Sequence, residues 1–98
     1  NSQTGTSYTA VIGDDGAVVE MNNASANTFT VPPNADVAFE IGATIVVVQM
    51  GAGATTIAPG SGVTLLSVGS LLDISAQYAA VTLYKRDTDE WLVLGAVA

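Results

Sequence analysis

The chain has 98 residues, of which eleven are charged: Lys85, Arg86 and nine carboxylates that together leave a net charge of −7. Soluble domains usually carry about 25% charged residues, whereas this chain carries 11% beside 49% hydrophobic residues, and it has no histidine or cysteine. These figures exclude histidine-dependent triads, thiolate nucleophiles, ordinary zinc sites and disulfides, and two cations cannot neutralise a nucleic-acid backbone or bind an anionic membrane surface.

The chain opens with small polar residues and then alternates between turn signals and strand-forming runs. Residues 1–7 predict a flexible N-terminal arm ahead of a single β domain at residues 8–98. Clusters of Gly, Asn, Pro and Asp recur about every 8 to 12 residues, as in an all-β sandwich or barrel. The runs between them, rich in Val, Ile, Thr and Tyr, predict strands at 8–12, 17–21, 28–31, 43–50, 54–58, 63–67, 79–85 and 91–97. No convincing internal repeat is evident.

We therefore predict an all-β fold, a small β-sandwich or barrel of about eight short, mostly antiparallel strands, with a jelly roll as one option. Residues 44–50 are apolar on both faces, which predicts a strand in the middle of a sheet or at a subunit interface. The last two strands are separated by five residues and predict a hairpin. The candidate interface residues are Ile45, Val46, Val47, Val48 and Met50.

Two acidic clusters are the candidates for cation binding. Asp14 with Asp15, and Asp87 with Asp89 and Glu90, supply the oxygen ligands that calcium prefers. Neither cluster has the spacing of an EF-hand loop, and Asp in a turn is explained by hydrogen bonds to its own backbone. Solvated turns are the preferred interpretation, so no metal site or cofactor is expected.

Carboxylate catalysis is the remaining enzymatic option, since a glycosidase needs two acids across a cleft. The best placed acids are Glu20 and Glu40, and strand alternation sends both toward solvent. We therefore predict no catalytic residues and no enzymatic activity.

The aromatic residues and the two cations have both a binding and a packing interpretation. Trp91 with Tyr8, Tyr78 and Tyr84 could form a platform for glycan, with Tyr84 and Trp91 as the candidate contacts. The favoured alternative is that Trp91 packs on the end of the core, because isolated aromatics in small domains usually anchor packing. Lys85 and Arg86 are expected to neutralise the neighbouring acids of residues 87–90 or those of another subunit.

The order of several segments resembles a small β module of tailed-bacteriophage head-decoration and fibre proteins. The Pro-Pro pair at 32–33, the Gly-Ala-Gly of 51–53 and the ending Trp-Leu-Val-Leu-Gly at 91–95 are its most distinctive parts. The similar segments are 19–23, 28–33, 39–45, 48–57, 62–65, 77–79, 82–85 and 89–95. Such modules are virion structural parts, commonly trimeric, and bring no enzymatic residues with them.

The resemblance implies a capsid decoration or cement protein that binds the head surface as a homotrimer and stabilises the shell. The major capsid protein would be its partner and the virion surface its location. In longer fibre proteins the module lies at the C-terminal end, whereas here it covers nearly the whole chain, which favours the compact decoration protein. The alternative is a receptor-binding tip of a tail or head fibre that binds host surface glycan.

Overall fold

The computed structural model describes residues 1–98 and contains nine strands. All eight predicted strands are present, and one further short strand lies in residues 1–7. In chain order the strands are β1 (Ser2–Gln3), β2 (Ser7–Thr9), β3 (Val18–Met21), β4 (Asn27–Val31), β5 (Thr44–Gln49), β6 (Thr55–Pro59), β7 (Thr64–Ser67), β8 (Ala80–Asp87) and β9 (Glu90–Gly95). Two single 3-10 turns occur at Ile12–Asp14 and Val68–Ser70.

The strands form a six-stranded sheet in the order β1-β3-β5-β8-β9-β7 and a three-stranded sheet in the order β2-β4-β6. The expectation of mostly antiparallel strands is wrong: five of the seven pairings are parallel, and two are antiparallel. The physical reason is that consecutive strands from β1 to β6 alternate between the two sheets. Each strand therefore pairs with the strand two places later, which runs in the same direction. The hairpin predicted at the end of the chain is confirmed as β8 and β9.

The parallel region is a stack of similar coils, although the sequence shows no convincing repeat. Val18 pairs with Val46 in the large sheet, and Asn27 pairs with Thr55 in the small sheet. The offset is 28 residues in both sheets (46 minus 18 and 55 minus 27). The turn signals at 22–25 and 51–53 thus lie in corners that carry the chain from one sheet to the other, and the two corners stack on each other.

Close stacking of these corners depends on two glycines. A Cβ atom on Gly53 would lie 2.0 Å from the carbonyl oxygen of Ser25, and one on Gly51 would lie 2.4 Å from that of Asn23. The amide of Gly53 donates to the Asn23 carbonyl at 3.0 Å. The Asn23 side chain in turn donates to the Thr4 carbonyl at 2.8 Å, which ties the corner to the N-terminal segment.

The hydrophobic core is formed by residues from both sheets. Strand alternation sends one face of β3, β4, β5, β6 and β8 inward, and sixteen buried apolar residues form one cluster. Phe39 meets Trp91 edge to face with 5.4 Å between ring centroids, and Tyr8 packs on Phe29 at 5.7 Å. Strand β5 is central in the large sheet, between β3 and β8, as its two-sided apolar pattern predicts.

Candidate functional site

The side of the six-stranded sheet that points away from the core is the most distinctive surface of the molecule. We call this side the outer face. Strand pairing aligns its side chains in three rows: Glu20, Val48 and Ala80; then Val18, Val46, Thr82 and Leu94; then Thr44, Tyr84, Leu92 and Leu66. None of these eleven residues is buried: four are exposed and seven are half-buried.

The outer face is almost free of charge. Of the eleven residues in the three rows, Glu20 is the only one with a side chain that is charged at neutral pH. Beyond the last row, Glu90 is paired with Arg86, so those two charges offset each other at the hairpin end. A surface of this kind can be covered by a partner at small electrostatic cost, because burying an unpaired charge is what makes polar interfaces expensive.

The five candidate interface residues of β5 are divided between the two sides of the sheet. Ile45 and Val47 point into the core and are buried. Val46, Val48 and Met50 are half-buried, and the first two belong to the outer face. Only the outward residues are therefore available to a partner while the chain stays folded.

The candidate glycan residues are also separated. Trp91 is 1% exposed and packs against Phe39, so the structure places it in the core and not on a binding surface. Tyr84 lies half-buried on the outer face, opposite Thr44 and Leu92. Tyr78 is exposed in a loop, with a left-handed backbone at φ 70°. The aromatic residues thus form no common platform.

The first acidic cluster does not form a solvated turn. Asp14 is 2% exposed. Its carboxylate accepts hydrogen bonds from the Tyr8 hydroxyl at 2.6 Å, the Asn1 side chain at 2.8 Å and the Val11 amide at 3.0 Å. Asp15 is exposed beside it and accepts from the Thr44 amide at 3.3 Å. The structure therefore gives Asp14 a structural role that joins the N-terminal segment to the first 3-10 turn.

The contacts around Asp14 also affect the pKa of Tyr8. Partial burial raises the pKa of the Tyr8 hydroxyl above its ordinary value of 10.0. The hydrogen bond to Asp14 and the negative charge of that carboxylate act in the same direction, while the hydrogen bond from Asn1 opposes them. The protonated phenol is the form that the fold stabilises.

The second acidic cluster is distributed over separate contacts. Arg86 pairs with Glu90, as expected from their proximity in the hairpin. Asp89 accepts a hydrogen bond from the Asn34 amide at 2.8 Å, and Asp87 caps the Thr88 amide. No group of three or more potential metal-ligating side chains occurs in the structure.

Lys85 forms no ion pair with the acids of residues 87–90, in contrast to the expectation from the sequence. Its side chain points inward and is 1% exposed. The Nζ atom donates to Asn34 Oδ1 at 2.7 Å and to the Phe39 carbonyl at 2.6 Å. Sequence reasoning missed this placement. Alternation in residues 81–85 carried the only signal, because it sends Lys85 to the same side as the core residues Val81 and Leu83.

Glu20 and Glu40 do not meet. Glu20 is half-buried on the outer face, and Glu40 is exposed in the loop before β5. The surface contains no detectable cavity.

Comparison with known proteins identifies no similar protein. No family model matches the chain, and neither the curated proteins nor the solved structures contain a significant match. The structure has no helix with the length and hydropathy that a membrane span requires.

Proposed function

We propose that this chain is a structural protein of a tailed-bacteriophage virion, a decoration or cement protein that assembles as a homotrimer and stabilises the head. The single observation that carries the proposal is the outer face, a sheet surface of apolar and hydroxyl side chains with one carboxylate in its three rows. The order of segments that resembles the phage module supports the same conclusion. In this function the residues act by contact and need no chemistry.

A second copy of the chain is the occupant that the outer face fits best. The eleven residues of the three rows, about 4.8 Å apart across the strands and about 6.8 Å apart along them, make a face of roughly 360 Å². A typical stable interface buries about 800 Å² per partner, so the face can form the centre of one. Although each copy carries a net charge of −7, most of its acids lie away from this face, so copies can meet there without burying many like charges.

Trimerisation would also explain how weak individual contacts hold a capsid. Three copies joined together present three identical capsid-binding sites, and the second and third contacts form at high effective concentration. The binding of neighbouring capsid subunits by one trimer would oppose their separation. Binding of the trimer to the capsid would therefore be enough to stabilise the shell.

The receptor-binding fibre tip remains the alternative function. The burial of Trp91 removes its best aromatic contact and leaves Tyr84 and the exposed Tyr78. Labelling of the chain on intact virions separates the two functions: copies spread over the head support the cement protein, and copies confined to the tail support the fibre tip.

The oligomeric part of the proposal is tested by placing a charge in the outer face. Leu94→Asp alters a side chain that is 49% exposed in the middle row, whereas Ile41→Asp alters an apolar side chain that is 58% exposed in a loop outside this face. Sedimentation should show a trimer for the native chain and for Ile41→Asp, and smaller species for Leu94→Asp. A monomeric native chain contradicts the proposal.

The cement activity is tested on empty phage heads. The purified native chain should bind the heads and raise the temperature at which they break open, and Leu94→Asp should lose most of this effect. Heads that neither bind the native chain nor gain heat resistance from it would rule out the proposed function.

A further inference from the structure

The side chains of Lys85 and Asn34 meet in a setting that is unusual for a lysine. Lys85 is almost completely buried, yet the only ion pair in the structure within 4.0 Å joins Arg86 to Glu90. The buried ammonium has two neutral oxygen acceptors, Asn34 Oδ1 at 2.7 Å and the Phe39 carbonyl at 2.6 Å. Long charged side chains are rarely fully buried without a charged partner.

Two buried aromatic residues lie next to the buried lysine. Trp91 is the direct cross-strand partner of Lys85 in the hairpin, on the same inward side. Its ring packs edge to face on Phe39, and both aromatic residues are buried. The Nζ atom is therefore held in one position by hydrogen bonds and by packing.

The backbone of Asn34 is held by a separate hydrogen bond. Asp89 Oδ1 accepts the Asn34 backbone amide at 2.8 Å, which anchors the start of the loop between β4 and β5 to the hairpin turn. The Nζ atom of Lys85 lies 2.7 Å from Oδ1 of Asn34, and Oδ1 is bonded to the carbonyl carbon Cγ. When a fold holds two reactive groups at contact distance, it lowers the entropic part of the activation barrier to their reaction.

We propose that Lys85 and Asn34 are joined by an intramolecular isopeptide bond. The Nζ atom attacks Cγ of Asn34, a new Nζ–Cγ amide bond forms, and the Cγ–Nδ2 bond breaks. The nitrogen of the carboxamide leaves as ammonia and takes up the proton that the lysine ammonium loses, so one ammonium ion is released. The step changes no oxidation state and requires no further reactant. Asp89 is a positioning residue, because it holds the Asn34 backbone.

The bond would supply a covalent brace to a chain that has no cysteine. It joins residues 51 positions apart in sequence and links the loop before β5 to strand β8. A cross-link over so long a loop restricts the unfolded chain much as a disulfide does.

The intact mass of the purified, denatured native chain tests the proposal directly. We expect a mass lower than the sequence mass by one ammonia, and a protease digest that contains a branched peptide joining the segments of Lys85 and Asn34. A native chain with its full sequence mass overturns the proposal.

Two variants separate the cross-link from cyclisation of Asn34 on its own backbone, which also releases ammonia. Lys85→Arg should have its full sequence mass, and persistence of the ammonia deficit in this variant would contradict the cross-link. Asn34→Asp should lose one water in place of one ammonia, because the carboxyl group forms the same amide with lysine.

The role of Asp89 is tested by the rate of mass loss after synthesis. Asp89→Ala should slow the loss of ammonia by about tenfold or more, because the reacting groups are less well positioned. Asp89→Asn should restore most of the rate, because its amide oxygen also accepts the Asn34 amide. Equal rates for Asp89→Ala and the native chain would remove Asp89 from the proposal.

Discussion

Thr55 donates its hydroxyl hydrogen bond to Asn27 Oδ1 at 2.6 Å, and the two residues are paired strand to strand in successive coils. Both are buried. The Thr55 amide donates to Gln49 Oε1 at 3.1 Å, and the Asn27 amide group donates to the Ser25 carbonyl at 3.0 Å. This small network satisfies polar groups inside the corner where the chain leaves one sheet for the other, so it specifies how the coils stack.

Removal of the Thr55 hydroxyl should destabilise the fold. Thr55→Val keeps the side-chain shape but leaves the buried Asn27 Oδ1 without this donor, at a cost of about 1 to 3 kcal/mol. Thr56→Val is the matched control, since the Thr56 hydroxyl meets Asp73 in an exposed contact. Denaturant unfolding should give a clearly larger loss for Thr55→Val, and equal losses would contradict the role of the network.

A methyl group at Gly53 should be poorly tolerated. Because its Cβ would overlap backbone atoms of Ser25, the corner must shift as a whole, and the expected loss of unfolding free energy is about 3 kcal/mol or more. Gly13→Ala is the control, as its Cβ meets nothing within 4 Å. A Gly53→Ala chain with native stability in thermal unfolding would show that the corners do not stack this closely.

The two adjacent acids Asp14 and Asp15 should differ in their contribution to stability. Asp14→Ala leaves the Tyr8 hydroxyl and the Val11 amide without an acceptor, so we expect a loss of about 1 to 3 kcal/mol. Asp15→Ala removes one long, exposed contact and should cost less than about 1 kcal/mol. Chemical denaturation of both variants at neutral pH measures the difference, which should vanish if Asp14 is solvated.

The raised pKa of Tyr8 gives the fold a dependence on alkaline pH. Because the folded pKa lies above the ordinary value of 10.0, the unfolded chain loses this proton first as pH rises. The contribution of Tyr8 is therefore fully present below pH 10.0 and is lost as pH increases through the folded pKa. Unfolding free energies of the native chain and Tyr8→Phe should converge or cross above that pH, and parallel curves would contradict the shift.

Local patterns in the sequence determined the strands of this protein, the terminal hairpin and the central position of β5. These properties depend on side-chain alternation and on the content of β-forming residues. Both are patterns among residues that are close together in the sequence. The scarcity of charge was equally a property of the sequence, and it accounts for the nearly uncharged outer face.

The tertiary structure alone decided how the strands pair and which polar residues are buried. Gly, Asn and Ser allow the backbone to bend equally well in a hairpin and in a corner between sheets, so the turn signals at 22–25 and 51–53 do not distinguish antiparallel from parallel neighbours. Lys85 is buried through hydrogen bonds to Asn34 and Phe39, which are distant from it in sequence. Burial of a charge depends on whether those distant partners satisfy it, and only the folded chain brings them together.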